Sequence, residues 1–186
     1  MGQQRAQRSD VTRHREQLLA AAGRVFSEHG VHVSLDLVVQ EAGLGKGSLY
    51  RHFPDRAALI IALFQQETEA MFRHGETLPP EAALLGMLRY LVDVAGRAPA
   101  LADGWRIVPM DHPDYAAGRA RLIKRLGAPL EAAQKARLIR PDITTSDISL
   151  IIRLITIPMT GPDGEARGER VLDLLLYGAL LSGAAA

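Results

Sequence analysis

The sequence predicts an all-α protein in two parts, a three-helix head in residues 1–56 and a larger helical body in residues 57–186. Apolar residues recur at helical spacing along the chain, Gly or Pro separates the helical blocks, and no run alternates as a strand would. At 186 residues the chain is long enough to bury such helices against one another without crosslinks.

The composition excludes several kinds of chemistry. The chain contains no cysteine, which excludes disulfides, thiolate metal ligands and a cysteine nucleophile, and which fits a reducing cytoplasm. The apolar C-terminal run from residue 171 is too short for a membrane span, and Asp173 interrupts it. We therefore expect a cytoplasmic protein with no membrane partner.

Two helices begin the head, and each has a recognisable end. The first is predicted over residues 11–29, where apolar residues form one stripe, and Gly30 fits a left-handed C-cap. Ser34 is a good N-cap for a second helix of two turns, which Gly43 ends.

A short third helix is predicted over residues 46–52. It buries Leu49 and Phe53, and Pro54 prevents its continuation. Asp55 can cap a fourth helix that runs to residue 73 and joins the head to the body. Beyond it, four longer helices are predicted over residues 80–97, 115–138, 146–159 and 169–183.

The stretch EAGLGKGSLYRHFPD, residues 41–55, sets a lysine between two glycines and raises the question of phosphate binding. A P-loop would need glycine at position 40 and Ser or Thr at position 47, where the chain has Gln40 and Gly47. The glycines also lack the spacing of a dinucleotide-binding loop, and no strand precedes them. The stretch is therefore not predicted to bind a nucleotide.

The second and third helices, joined by AGLG, match a helix-turn-helix unit, in which glycine permits the tight bend. With Leu49 and Phe53 facing the core, the rest of the third helix is left for solvent or a partner. Such a face, rich in hydrogen-bond donors and positive charge, can enter the major groove of DNA. The residues on it are Lys46, Gly47, Ser48, Tyr50, Arg51 and His52.

Within residues 13–63, LAAAGRVFSEHG and SLDLVVQEAGLGKGSLYRHFPDRAALI resemble the DNA-binding head of the TetR (tetracycline repressor) family of bacterial transcriptional regulators. DLLLYGAL near the C-terminus is similar to the usual ending of that family. The resemblance implies a DNA-binding head and a helical ligand-binding and dimerisation domain. Its implied partners are a double-stranded DNA operator, a small-molecule effector and a second copy of the chain. No cofactor is expected.

The resemblance also implies roles for single residues. Base contacts are expected from Ser48 and Arg51. Phosphate contacts are expected from Ser34, Lys46, Tyr50, His52 and Arg56. Gly45 departs from the family, which commonly has a capping residue there. The alternative is that Tyr50 belongs to the core and that the charged side chains are simply solvated.

The last two predicted helices are apolar on more than one face. An isoleucine stripe and a leucine stripe lie on nearly opposite sides of residues 148–157, and leucines surround residues 172–181. Two such helices meeting their symmetry mates would form a four-helix dimer interface, and the alternative is a pair of internal core helices. The expected interface residues are Ile151, Leu154, Ile155, Leu172, Leu175 and Leu176.

The Pro- and Gly-broken segment between residues 97 and 115 indicates a pocket in the body. Interrupted helices with Met and aromatic residues can line an apolar cavity, although such residues are more often simply core. The expected lining residues are Met87, Tyr90, Trp105, Met110 and Tyr115. With the family resemblance, this predicts a repressor that a small, mostly apolar ligand releases from its operator.

A small all-helical enzyme is the alternative function. Its candidate site is MDHPDY, where Asp111, His112 and Asp114 could bind a metal or transfer protons. A turn rich in Asp and Pro explains the same residues, and the H-E-x-x-H and G-x-S-x-G patterns are absent. We therefore predict a regulator with no catalytic residue and no metal site.

Overall fold

The computed structural model describes residues 2–97, 103–104, 107–109, 111–155 and 170–174. In these ranges the chain forms helices joined by turns, and it contains no strand. The helices are α1 (Gly2–His29), α2 (Leu35–Ala42), α3 (Lys46–His52), α4 (Arg56–Glu76), α5 (Pro80–Arg97), α6 (Pro113–Arg125), α7 (Gly127–Lys135) and α8 (Thr145–Ile155). A further helical segment covers residues 170–174. The all-α prediction is confirmed.

The described helices include none that combines the length and the apolar character needed to cross a bilayer.

The helix-turn-helix unit is held by the caps that the sequence predicted. Ser34 Oγ accepts a hydrogen bond from the backbone N–H of Asp36 at 3.2 Å, which satisfies a free donor at the start of α2. Gly43 ends α2 at φ 65°, in the left-handed region where a side chain would be strained. Gly45 precedes α3 without a side-chain cap, and its carbonyl accepts from the backbone N–H of Ser48 at 2.8 Å.

The first helix is longer than predicted, because α1 begins at Gly2 and not near residue 11. The prediction followed the apolar stripe, which begins at Leu18. Residues 3–10 contain no glycine or proline and several strong helix formers, so the helix continues toward the N-terminus without that stripe. The stripe packs against α2, α3 and α4, and Leu18, Leu19 and Phe26 on it are fully buried.

The fourth helix is shared between two apolar cores. Asp55 caps α4, since its Oδ1 accepts from the backbone N–H of Ala58 at 2.7 Å. The first turns, as far as Phe64, are buried in the core of the head, whereas Met71 and Phe72 are buried in the core of the body. The division after residue 56 stays a prediction, and the apolar core of the head continues beyond it into α4.

The body is built on α5, which packs along α4 and α7. The prediction of one helix over residues 115–138 is wrong, because α6 ends at Arg125 and α7 begins at Gly127. Pro129 lies in the first turn of α7, where its missing N–H is tolerated. In one continuous helix it could not donate to the carbonyl of Arg125. The interruption lets α6 lie against α4 and α8 while α7 lies against α5.

Candidate DNA-binding face and body cavity

The third helix presents an exposed polar face, as the sequence predicted. Lys46, Gly47 and Arg51 are exposed, and Tyr50 has 52% of its surface accessible. Leu49 and Phe53 are buried in the core of the head. Tyr50 is therefore not a core aromatic, and its ring and hydroxyl are available at the surface.

Ser48 is not on this face, and the expectation that it faces solvent is wrong. Only 7% of its surface is accessible, and its Oγ has no hydrogen-bond partner among the described residues. Both α1 and α2 pack against α3. Together they cover more of the surface of this short helix than the side of Leu49, and Ser48 lies in the covered part. The hydroxyl of Ser48 is therefore buried in the free protein.

Lys46 has a partner that the sequence analysis missed. Its Nζ lies 2.8 Å from Oδ2 of Asp36, in the first turn of α2. The hydrogen bond that the Lys46 ammonium donates to the Asp36 carboxylate, together with the negative charge of that carboxylate, raises the pKa of Lys46 above its ordinary value. Both side chains are largely exposed, so the pair adds little stability. Its effect is to hold the charge of Lys46 beside the second helix.

Arg56 is also committed to a contact within the chain. Its Nη1 donates a hydrogen bond to the backbone carbonyl of Val31, in the turn after α1. The contact joins α4 to the loop between α1 and α2, across 25 residues of sequence. The expected phosphate contact is untested, and the guanidinium stabilises the head in the free protein.

His52 lies at the edge of the face and is half-buried. Burial lowers the pKa of its imidazole, and the neighbouring charges of Arg15, His14 and Arg51 lower it further. The neutral form is therefore favoured near pH 7, so His52 can donate or accept one hydrogen bond but carries little charge.

A cavity of about 670 Å³ lies where the head meets the body, between α4, α6 and α8, with Arg15 of α1 and Tyr90 of α5 also on its wall. Tyr90 and Tyr115, two of the predicted lining residues, are on its wall. Met87 is not, because it is buried in the core of the body, where its side chain fills the space beside Gly75. Trp105 and Met110 lie outside the described residues.

The lining is more polar than predicted. Phe64, Phe72 and Ile152 contribute apolar surface, but two glutamates and six arginines also line the cavity. The arginines are Arg15, Arg73, Arg119, Arg121, Arg125 and Arg153. Helical periodicity marks these residues only as polar, and they line one cavity because α1, α4, α6 and α8 bring them together.

The predicted dimer residues divide into two groups. Ile151, Ile155 and Leu172 are buried in the apolar core of their own chain, and their expected contacts with a partner stay a prediction. Leu154 has 38% of its surface accessible. Leu150 on the same helix and Val171 and Leu174 in residues 170–174 are also exposed. Leu175 and Leu176 lie outside the described residues.

The residues proposed for the enzyme alternative form a cap. Nδ1 of His112 accepts a hydrogen bond from the backbone N–H of Asp114 at 3.2 Å, so His112 is the N-cap of α6. Its Nε2 lies 3.6 Å from Oδ2 of Asp55, the N-cap of α4. Asp111 is exposed, and within the described ranges no group of three His, Asp or Glu side chains could hold a metal ion.

Comparison with known proteins agrees with this architecture. Residues 18–63 match the family model for bacterial regulatory proteins of the tetR family. Residues 79–180 match the model for the C-terminal domain of SbtR-like transcriptional regulators.

Solved structures of TetR regulators are similar over most of the chain. One from Streptomyces coelicolor is 37% identical, with 89% of this chain and 98% of that chain covered and a TM-score of 0.60. One from Pectobacterium atrosepticum is 24% identical, with 94% and 97% covered and a TM-score of 0.68.

A curated relative, an HTH-type transcriptional regulator of Staphylococcus aureus, is 32% identical over 68 residues. The match spans 36% of this chain and 37% of the length of that relative. None of these similarities supports the enzyme alternative. Since the SbtR-like model alone spans more than half of the sequence, the chain belongs to the TetR family of bacterial transcriptional regulators.

Proposed function

We propose that the protein is a homodimeric repressor that binds a pseudo-palindromic operator through α3 and leaves it when an effector occupies the body cavity. The observation that carries the proposal is the exposed face of α3, with Lys46, Tyr50 and Arg51 outward on the second helix of a helix-turn-helix unit. This is the helix that enters the major groove in such units.

The proposed contacts divide into two kinds. Arg51 is the candidate for reading bases, because its guanidinium can donate two hydrogen bonds to one guanine. Lys46 and Tyr50 are candidates for phosphate contacts, together with Ser34 at the start of α2. Gly47 has open space where a Cβ would be, which leaves room for close approach of the DNA backbone.

Dimerisation would hold two heads for two half-sites. Leu150 and Leu154 form the exposed stripe of α8, opposite the isoleucines that fill the core. Val171 and Leu174 are exposed on residues 170–174. A second copy that covers these side chains would bury apolar surface that is otherwise in water.

The sixth helix could transmit occupancy of the cavity to the head. It contains no fully buried side chain, so it is held less firmly than α4 or α5. Its cap, His112, faces Asp55 at the start of α4, and Asp55 follows directly on the DNA-binding unit. We infer that a ligand between α4 and α6 displaces α6, changes this contact and alters the separation of the two heads.

The proposal is tested by operator selection. The purified protein is incubated with fragments of its own genome, and the retained DNA is sequenced. We expect an inverted repeat whose half-sites are separated by about one turn of DNA. Sedimentation of the complex should correspond to one protein dimer bound to each repeat. Retention of fragments with no common sequence would contradict operator recognition.

A further inference from the structure

We propose that the cavity binds an amphipathic anion, an apolar chain or ring system that carries a carboxylate or a phosphate. This inference rests on the proposed function of the cavity as the effector site and names the chemical class of the effector. It replaces the expectation of a mostly apolar ligand.

The charge of the lining favours an anion. Six arginines and two glutamates line the cavity, so positive charges exceed negative ones by four. The glutamates already have partners: Glu69 accepts from Nη1 of Arg125, and Glu67 accepts from the hydroxyl of Tyr90 at 3.5 Å. A cationic ligand would therefore meet repulsion without a free carboxylate to offset it.

Three of the arginines have no partner within the part of the chain that the structure describes. They are Arg73 on α4 and Arg119 and Arg121 on α6. A fourth, Arg153 on α8, is half-buried, and its Nη1 donates to the hydroxyl of Tyr115 at 2.8 Å. Guanidinium groups match the geometry of carboxylate and phosphate, and such charge-assisted hydrogen bonds are among the stronger ones in proteins.

The remaining wall suits the apolar part of such a ligand. Phe64 and Phe72 on α4 and Ile152 on α8 contribute to it. The cavity volume of about 670 Å³ lies within the range of pockets that hold small organic ligands. A purely apolar compound could use this wall but would leave the arginines without new partners, so it should bind more weakly.

The experiment uses four probes that share one chain and differ in the head group: decanoate, decyl phosphate, decan-1-ol and decyltrimethylammonium, each below its micellar concentration. Calorimetric titration of the full-length protein without DNA gives the dissociation constants. We expect saturable binding of both anions at one site per chain, weaker binding of the alcohol and no binding of the cation.

Two variants test whether the anions bind in this cavity. The double variant Arg119→Gln with Arg121→Gln should weaken the binding of decanoate by about tenfold to a hundredfold, since hydrogen bonds to a charged group are lost. The dissociation constant of decan-1-ol should stay unchanged. Both side chains are exposed, so folding should be unaffected. Gly118→Leu adds a side chain on the cavity wall of α6 and should weaken the binding of both anions and of decan-1-ol.

Arg89→Gln is the matched control, because Arg89 is exposed on α5 and does not line the cavity. It should leave every dissociation constant unchanged. The inference is overturned if neither anion binds saturably, if the cation binds as tightly as the anions, or if the double variant keeps full affinity for decanoate. Operator binding is measured separately, so a failure here leaves the DNA-binding proposal standing.

Discussion

The head and the body present exposed arginines in different surroundings. In the head, Arg51 points outward from a filled apolar core, on a helix whose inner residue Leu49 is fully buried. In the body, Arg119 and Arg121 line a cavity on a helix that contributes no fully buried side chain. The head is thus suited to recognition by an exposed helix face, and the body to recognition in a partly open cavity, in which α6 is the wall without a fully buried side chain.

A pair of matched truncations gives the largest contrast between the two regions. Leu49→Ala should lower the free energy of unfolding by about 2–5 kcal/mol, since it opens a cavity in the core of the head. Leu122→Ala on α6 should cost only about 1 kcal/mol, because Leu122 is partly buried. Urea denaturation measures both. Equal losses would show that α6 is packed as firmly as α3.

Replacement of Leu154 by glutamate tests whether the exposed apolar stripe of α8 forms the dimer interface. Leu154→Glu should give monomers and weaken operator binding strongly, since it places a charge in the proposed dimer interface. Leu37→Glu in α2 is the control, because Leu37 has the same 38% accessible surface and lies in the head. Sedimentation velocity distinguishes the two. A Leu154→Glu protein that remains dimeric would place the interface elsewhere.

Replacement of Lys46 by alanine tests the charged part of the α3 face. Lys46→Ala should weaken binding to all DNA sequences and reduce the slope of log affinity against log salt by about one. The loss is limited because Lys46 already neutralises Asp36, which the phosphate must displace. Lys124→Ala, an exposed site on α6, should leave the slope unchanged. An unaltered slope in Lys46→Ala would remove its phosphate role.

The smallest expected effect is at Ser48. Ser48→Ala should raise the free energy of unfolding by up to about 1 kcal/mol, because it removes a buried hydroxyl without a described partner and improves helix propensity. Ser149, equally buried on the cavity wall, is the comparison, since water in the cavity can bond its hydroxyl. Destabilisation by Ser48→Ala would mean that the hydroxyl has a partner after all.

The head was largely predictable because its boundaries depend on local residues. Ser34, Gly43 and Asp55 act within one helical turn of their own positions, and α3 covers the predicted residues 46–52. The burial of Ser48 was not predictable, since it depends on how α1 and α2 lie across α3. The contact from Arg56 to the turn after α1 joins residues far apart in sequence, which no local pattern reveals.

The body was less predictable because its candidate site is a space between helices. Periodicity identifies Arg119 and Arg121 as polar but cannot indicate that they line a cavity with α4 and α8. The division between α6 and α7 did have a signal, Pro129, which fits the first turn of a new helix better than the middle of a long one.

The most direct test of the account is a comparison of wild type with Arg51→Ala on a set of operators changed at one base pair at a time. Arg89→Ala, exposed on α5, serves as the control. Fluorescence anisotropy gives each dissociation constant. A change of the base pair that Arg51 reads should cost the wild type about 1–3 kcal/mol of binding free energy. The Arg51→Ala protein should bind all four base pairs at that position about equally and keep its preferences elsewhere. Full discrimination by Arg51→Ala at every position would contradict base reading by the exposed face of α3.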